Sequence, residues 1–438
     1  MIIKKKDLVD LQVSHLDTVG HVYMYKGRII RIIEKTARKY VNELMTCGLI
    51  DKLIKEGILV DSWISDDTDE EGRMILEHRR ITPCTYPFQW SFEMMKDAAK
   101  LVLRLNSILW EHGYELKDCH QYNILFDGPR PVYIDFGSIM KRDKKRGGWT
   151  AREEFFRCYY YPIKLWSKGY INIVEALMNS SFNNLCIKEM RRMLWHLPLK
   201  TVSVPLLQKI LVKSPTLEMR ELFFKVNGLK YRDDSVWGEY QSALWKKEWE
   251  SARFNYEIDW INKTLDINTM IEVGANQGYF SYLVATRTKI KKIIATDYDK
   301  NAVDIMYCRI KEESNDKITP AVLDFMWTPL ERLKEYRSDL VVANALTHHL
   351  LLTQGMKMSA ITERLAQLTE KYVIVEFMEY GVTQKKRDLP KWYTLDWFLA
   401  ELQERFSITL VKKTEKRRIM IIGKKVEEND FIEGKVRE

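Results

Sequence analysis

The chain has 438 residues, enough for roughly two or three domains that each bury a hydrophobic core. Hydrophobic residues make up 46% of it and charged residues 30%, a globular composition that excludes a mainly disordered protein. The 70 lysines and arginines exceed the 61 aspartates and glutamates by only nine, so the net charge does not by itself indicate nucleic acid or a membrane surface as partner.

The first half of the chain contains hairpin and helix patterns. Residues 21–33 carry β-branched and aromatic residues on both sides of Lys26-Gly27, which predicts a β-hairpin. Apolar residues recur at helical spacing further on, and short apolar runs flank turn residues. The predicted elements are a helix over 36–56, strands within 59–76 around an acidic loop at 66–72, a helix over 91–112, a strand–turn–strand unit over 123–134, and mostly helical residues over 150–225.

From Thr269 onward, strand and helix patterns alternate, which predicts a mostly parallel sheet covered by helices on both faces. The last two strands, joined by a charged turn at 413–417, are predicted to be antiparallel. The predicted strands are 270–273, 292–296, 318–323, 340–344, 372–377, 408–412 and 418–422.

The first of these strands ends in a glycine motif, Glu272-x-Gly274-x-x-x-Gly278. Glycine lets the backbone pass close to a ligand, and the carboxyl ends of parallel strands are where open α/β sheets bind ligands. Glu272 places a carboxylate where the pyrophosphate of a dinucleotide would lie. That position therefore disfavours an anion and suits a cationic sulfonium or amino group.

Asp297 ends the second strand, where a carboxylate accepts hydrogen bonds from the ribose hydroxyls of a nucleoside. The glycine motif resembles motif I of the class I S-adenosylmethionine-dependent methyltransferases. The resemblance implies that Glu272, Gly274 and Gly278 surround the methionine end of S-adenosylmethionine, with Asn276 in the same loop. It implies a Rossmann-like, seven-stranded methyltransferase sheet.

The ends of the third and fourth strands extend this resemblance. Asp324 matches the position that binds the exocyclic amine of adenine, and Phe325 the position beside the adenine ring. Asn344 ends the fourth strand, where methyl transfer occurs in the family. The alternative is a Rossmann-like domain that binds another nucleotide or none.

Two further residues are candidates for catalysis. His348 follows the fourth strand in Leu346-Thr-His-His-Leu, which resembles a phrase that shapes the pocket of many methyltransferases. It is either structural or a general base, and Asn344 and His348 would share a face if the segment is helical. Glu376 ends the fifth strand and either faces the substrate or is a simple strand-end carboxylate. Methyl transfer needs chiefly alignment, so positioning is expected to matter most.

A second set of polar residues lies in the first half of the chain. In phosphoryl transfer, a carboxylate accepts the substrate proton while an amide and a second carboxylate bind Mg²⁺. Asp118, Asn123 and Asp135 have that spacing, with His120 two residues after the first carboxylate. This text resembles the aminoglycoside-phosphotransferase branch of the kinase-like fold. The resemblance implies ATP and Mg²⁺, with Asp118 as catalytic residue and Asn123 and Asp135 as metal ligands.

The same region departs from that family. No glycine-rich loop is visible, and Arg31 stands in the slot of the strand lysine. We therefore favour a degenerate α+β kinase-like domain that binds substrate or braces the rest of the chain. The predicted domains are a kinase-like domain over 1–145, its helical continuation and a linker over 146–240, and a class I methyltransferase domain over 241–438.

Both halves together resemble bacterial nodulation-type, host-specificity methyltransferases. The predicted function is transfer of a methyl group from S-adenosylmethionine to an oxygen or nitrogen nucleophile. The alternatives are a bifunctional kinase–methyltransferase that phosphorylates a sugar or metabolite and methylates the product, and a non-catalytic scaffold that senses S-adenosylmethionine. The acceptor stays open among glycans, small metabolites, nucleic acids and proteins, as does the oligomeric state.

The spacing of the cysteines and the hydropathy of the chain predict where in the cell the protein is located. The six cysteines are far apart, without a C-x-x-C pair, which disfavours the usual zinc and redox spacings and predicts reduced thiols. No apolar segment follows the lysines at 4–6 as in a signal peptide, and no uncharged apolar run reaches the ~20 residues that span a bilayer. We predict a cytoplasmic protein without a membrane span.

Overall fold

The computed structural model divides the chain into two units, Met1–Arg232 and Asp233–Glu438, here called the N-terminal and the C-terminal unit. The domain boundaries at 145 and 240 stay predictions, and part of the helical prediction over 150–225 lies outside the described residues. The structure describes residues 1–11, 13–14, 17–143, 145, 147–179, 214–231, 235, 241–245, 251–382 and 388–426.

The N-terminal unit contains a six-stranded sheet in the order β1-β5-β6-β4-β3-β2, in which only the β1–β5 pair is parallel. The predicted hairpin is confirmed as β3–β4, and its turn residues Lys26 and Gly27 both have positive φ, as a tight two-residue turn requires. The strands are β1 (Ile2–Ile3), β2 (Val9–Asp10), β3 (Gly20–Tyr25), β4 (Arg28–Ile33), β5 (Ser62–Asp69) and β6 (Met74–His78).

The predicted acidic loop at 66–72 is wrong in its first half. Residues 66–69 belong to β5 because β1 pairs with them, Ile2 opposite Thr68 and Ile3 opposite Asp69. The turn begins only after Asp69, whose buried carboxylate accepts hydrogen bonds from the backbone of Glu71 and Arg73 at 3.2 and 2.7 Å.

The rest of the N-terminal unit is mainly helical. The helix predicted over 36–56 is broken in two at Gly48, which has a φ of +79°. The strand–turn–strand unit is confirmed as β8–β9, while the β7–β10 pair was not predicted, since three-residue strands carry little pattern. The elements are α1 (Arg38–Thr46), α2 (Leu49–Lys55), α3 (Phe92–Glu111), β7 (Tyr114–Leu116), β8 (Ile124–Asp127), β9 (Arg130–Tyr133), β10 (Ile139–Lys141), α4 (Arg152–Phe155), a π-helical turn (Phe156–Tyr160), α5 (Tyr161–Trp166), α6 (Ile171–Asn179) and α7 (Pro215–Gly228).

The C-terminal unit contains a seven-stranded sheet in the order β13-β12-β11-β14-β15-β17-β16. All pairs are parallel except those of β17, which is antiparallel to both neighbours. The antiparallel β16–β17 hairpin is confirmed. The strands are β11 (Thr269–Val273), β12 (Lys292–Asp297), β13 (Ile318–Val322), β14 (Ser338–Ala343), β15 (Thr369–Met378), β16 (Phe406–Glu415) and β17 (Arg418–Lys425).

Helices cover both faces of this sheet. Met270 and Val342 belong to one apolar layer with α9 and α10, while Ile271 and Val341 belong to the other with α14 and α15. The described helices are α8 (Ser242–Trp245), α9 (Ala252–Lys263), α10 (Tyr279–Arg287), α11 (Lys300–Glu312), α12 (Leu330–Leu333), α13 (Thr347–Leu352), α14 (Met358–Leu368) and α15 (Leu395–Gln403). Among the described residues, none of the helices has the length and apolar character to cross a bilayer.

The strand order reverses between β11 and β14. From β11 the chain first builds outward through β12 and β13, and then returns to place β14 on the other side of β11. In open α/β sheets, this reversal leaves a crevice at the carboxyl ends of the two central strands, and ligands bind there. The candidate site therefore lies where β11 and β14 end.

Candidate functional site

The loop after β11 needs its glycines. Gly274 and Gly278 both have a φ of +73°, a left-handed conformation that side chains disfavour. A Cβ atom at Gly278 would also lie 2.7 Å from the Cγ atom of Met306 on α11. The loop can therefore approach α11 only because residue 278 has no side chain. Asn276 lies between the glycines and also has a positive φ, of 53°.

Glu272 is buried at the end of β11 and contacts the first turn of α10. Its Oε2 atom accepts hydrogen bonds from the backbone N and the hydroxyl of Ser281, at 3.1 and 2.6 Å. Burial raises the pKa of its carboxyl group to about 7. A second amide of this turn, that of Tyr279, donates to Gln241 at 3.2 Å. Two amides that would otherwise hold a pyrophosphate at this helix N-terminus are already bonded.

Asp297 joins the ends of β11 and β12. Its Oδ2 atom accepts a hydrogen bond from the backbone N of Asn276 at 2.8 Å, and its Oδ1 atom one from Asp299 at 2.9 Å. The carboxylate is only 6% exposed, and burial raises its pKa to about 6. The predicted ribose-binding residue is thus held directly beside the glycine loop.

The residues after β13 include the two that were assigned to adenine. Asp324 is exposed, and its Oδ1 atom accepts hydrogen bonds from the backbone of Met326 and Trp327 at 3.1 and 3.2 Å. Phe325 is buried in an apolar layer of the sheet. Sequence reasoning missed two exposed aromatic residues, Trp327 at 76% and Tyr298 at 54% after β12. Tyr298 directly follows β12 and Trp327 lies five residues after β13, and this position beyond a strand end was the available signal.

A polar pair, Asn344 and Glu257, lies at the end of β14. Asn344 was predicted as a site residue, and Glu257 was not. The amide Nδ2 atom of Asn344 donates to Glu257 Oε2 at 2.8 Å, and both residues are buried. Burial raises the pKa of Glu257 to about 8. Glu257 lies on α9, on the same stripe as Phe254, Ile258 and Ile261. A carboxylate within an apolar stripe was the signal that could have identified it.

Glu376, at the end of β15, is bound by two arginines. Arg253 Nη1 donates to its two carboxylate oxygens at 3.1 and 2.9 Å, and Arg418 Nη1 donates at 2.6 Å. The backbone N of Ala345 also donates to it, at 3.0 Å. The side chain of Glu376 is 2% exposed, so this carboxylate is part of a buried ion-pair network.

His348 lies on α13 and is 4% exposed. Its Nδ1 atom has no hydrogen-bond partner, and burial, reinforced by His349 and Arg418, lowers its pKa to about 3. The suggestion that Asn344 and His348 share a helical face is wrong. The helix begins only at Thr347, because Ala345 has a φ of +50° and turns the chain.

The predicted phosphotransfer residues of the N-terminal unit lie close together. Asn123 Nδ2 donates to Asp118 Oδ1 at 2.7 Å. Burial, followed by the charge of Asp135, raises the pKa of Asp118 to about 6. Asp135 itself accepts a hydrogen bond from Arg31 Nη2 at 2.9 Å, and the same guanidinium also pairs with Asp17.

These contacts affect the predicted role of Asp135 as a Mg²⁺ ligand. Arg31 is 4% exposed, so a buried positive charge already lies on the Asp135 carboxylate that was assigned to Mg²⁺. Within the part of the chain that the structure describes, no three His, Cys, Asp or Glu side chains are grouped as metal ligands.

Comparisons with known proteins give one curated relative and many structures. No family model matches the chain. Nodulation protein NoeA of Rhizobium meliloti (strain 1021) is 26% identical over 405 residues, covering 82% of this chain and 83% of that protein. This similarity supports the nodulation-type resemblance.

Two solved structures illustrate the structural comparison. A SAM-dependent methyltransferase from Aquifex aeolicus is 14% identical with a TM-score of 0.33, over 42% of this chain and 98% of that one. Magnesium protoporphyrin IX methyltransferase from Synechocystis PCC 6803, solved with bound SAM, is 14% identical with a TM-score of 0.31, over 47% and 91%.

Proposed function

We propose that the C-terminal unit transfers a methyl group from S-adenosylmethionine to an oxygen or nitrogen nucleophile of an acceptor. The observation that carries this proposal is the position of Asp297. Its buried carboxylate is bonded to the glycine loop at 2.8 Å, at the carboxyl ends of two adjacent parallel strands. A nucleoside is held by its ribose at this place in a doubly wound sheet.

The charges around the crevice fit this cofactor better than a dinucleotide. Glu257, Glu272 and Asp297 are buried carboxyl groups whose pKa values are all raised by burial. A cationic ligand would favour their ionised forms, whereas a pyrophosphate would oppose them. When bound, S-adenosylmethionine supplies a methyl group on a positively charged sulfur.

The roles of the chain's own residues follow from their positions. Gly274 and Gly278 let the loop backbone approach the methionine end, and Asp297 binds the ribose. Asp324 and Phe325 remain our assignment for the adenine. Methyl transfer depends mainly on the alignment of the nucleophile, the methyl carbon and the sulfur. We therefore expect the residues that line the crevice to act chiefly by positioning these atoms. The acceptor is proposed only by its class, a hydroxyl or an amine.

Replacing Asp297 by Ala is expected to abolish binding of S-adenosylmethionine, because the ribose hydroxyls lose their acceptor and the loop loses its bond to β12. Isothermal titration calorimetry measures this directly. The control is Asp266→Ala, which removes an exposed aspartate before the amino end of β11 and should leave the affinity unchanged. An unchanged affinity in Asp297→Ala would count strongly against the proposal.

A non-catalytic sensor would bind the cofactor in the same crevice without turnover. Isotopically labelled methyl groups separate the two possibilities. Transfer of label from S-adenosylmethionine to any component of a fractionated host extract excludes the sensor. Mass spectrometry of the labelled fraction would then identify the acceptor.

We further propose that the N-terminal unit serves as a binding or bracing domain, because Arg31 pairs with the carboxylate that a phosphotransferase would give to Mg²⁺. We expect ATP with Mg²⁺ to leave the melting temperature of the full chain unchanged in differential scanning fluorimetry. A stabilisation that disappears in Asp135→Ala would instead favour the bifunctional kinase–methyltransferase.

A further inference from the structure

Glu257 and Asn344 form a buried polar pair at the reversal of the strand order. Asn344 directly follows β14, and Glu257 reaches the same point from α9, 87 residues earlier in the chain. The side chain of Glu257 is 1% exposed and that of Asn344 is 8% exposed. Two polar residues are therefore held at the carboxyl end of β14, where the strand order reverses and where open α/β sheets bind ligands.

One polar atom of this pair lacks a hydrogen-bond partner. The amide nitrogen of Asn344 donates to Glu257, so the amide oxygen faces away from the carboxyl group. That oxygen, Oδ1, is buried and has no partner. Buried polar atoms almost always have a partner, so a missing donor calls for an explanation. A ligand with N–H groups would supply it.

The carboxyl groups near the pair also outnumber its positively charged neighbours. The charged groups that act electrostatically on Glu257 are Arg253, Glu376 and Glu272. Arg253 already donates to both oxygens of Glu376, and Glu272 adds a further carboxylate. A positively charged ligand would therefore offset the burial of Glu257, whereas a neutral hydroxyl would not.

We propose that Glu257 and Asn344 recognise a primary ammonium group in the crevice. Such a group carries a positive charge for the carboxylate and N–H donors for the amide oxygen. The proposal deepens the proposed function and rests on it for the choice of ligands. The ammonium belongs either to the amino-acid end of the cofactor or to an amine on the acceptor.

The cofactor source is tested by calorimetry on the full chain with two nucleosides. S-Adenosylhomocysteine carries the amino group, and 5′-methylthioadenosine lacks the amino-acid end. In Glu257→Gln, we expect the Kd for S-adenosylhomocysteine to rise about tenfold to a hundredfold and the Kd for methylthioadenosine to stay the same. The control is Asp339→Asn at the amino end of β14, which should change neither.

The acceptor source is tested by differential scanning fluorimetry, with and without S-adenosylhomocysteine. If Glu257→Gln leaves the Kd for S-adenosylhomocysteine unchanged, butylamine but not butanol should raise the melting temperature of the wild-type chain, and this shift should be absent in the variant. Should Glu257→Gln fail to give a folded circular dichroism spectrum, Asn344→Ala replaces it and should show the same losses.

The outcomes separate this inference from the proposed function. A variant that matches the wild type in both experiments overturns the ammonium site while leaving the methyltransferase proposal intact. A wild-type chain that binds neither nucleoside, but distinguishes butylamine from butanol through Glu257, keeps the ammonium site and overturns the proposed function. A wild-type chain that responds to none of these ligands overturns both.

Discussion

Replacing Arg253 by Met should lower the free energy of unfolding of the C-terminal unit by about 3 kcal/mol or more. Arg253 is 7% exposed, and its guanidinium donates to both oxygens of Glu376. Arg418, the second partner of Glu376, is itself partly exposed and contacts one oxygen. Without Arg253, the buried Glu376 retains one of its three hydrogen bonds to arginine, the one from Arg418.

Hydrogen exchange followed by mass spectrometry measures this loss in the intact chain. Peptides that cover β11 and β14 should exchange about a hundredfold faster in Arg253→Met under conditions where exchange requires unfolding of the unit. The matched control is Arg405→Met, which breaks an exposed pair with Glu363 and should cost less than about 1 kcal/mol. Equal effects of both variants would show that the buried network contributes no more than a surface pair.

The strands of the C-terminal sheet can be predicted from the sequence because each is a short apolar run between helical patterns. The strand predicted over 270–273 is observed as Thr269–Val273, and that over 292–296 as Lys292–Asp297. The glycine loop is readable for the same reason, since positive φ and close packing restrict the residue type. Local patterns therefore predict the sheet, its order of elements and the loop of the candidate site.

The buried polar contacts of the site are not readable in this way. Glu257 meets Asn344, and Arg253 meets Glu376, 123 residues further along the chain. The helical pattern shows charged residues on an apolar stripe. It does not show which partner stabilises each of them in the buried position. In the N-terminal unit, Arg31 likewise meets Asp135 across 104 residues. Arg31 was predicted to occupy the slot of the strand lysine, but the sequence did not show that this guanidinium reaches Asp135.

The stability of the C-terminal unit without ligand should fall as the pH rises toward 8. Burial raises the pKa values of Glu257, Glu272 and Asp297 to about 8, 7 and 6. A carboxyl group with a raised pKa binds its proton more tightly in the folded state. The stability that it contributes is complete below its unfolded pKa and is lost as the pH rises through its folded pKa. Each such group costs up to about 1.4 kcal/mol per pH unit between those two values.

Between pH 7 and 8, Glu257 is expected to make the largest contribution. Lys300, whose pKa is lowered by burial to about 8, opposes part of the loss of stability in this interval. By pH 7, Asp297 is mostly ionised and Glu272 is about half ionised, so Glu272 loses only the remainder of its proton above pH 7. His348, whose pKa is lowered to about 3 by burial, makes its opposing contribution below about pH 6.5, the ordinary histidine value. The loss of stability from pH 7 to 8 should therefore come mainly from Glu257, and Glu257→Gln should remove most of it.

Hydrogen exchange on the β11 and β14 peptides, corrected for the intrinsic effect of pH on exchange, measures the free energy at each pH. We expect the wild type and Asp339→Asn to lose stability from pH 7 to 8, and Glu257→Gln to stay nearly level. A saturating cationic ligand should flatten the wild-type trend, because it favours the ionised carboxylates that the ligand-free crevice disfavours. A wild-type curve that is flat or rising from pH 7 to 8 would mean that Glu257 is already ionised in the folded chain, and the charge deficit inferred at the crevice would not exist.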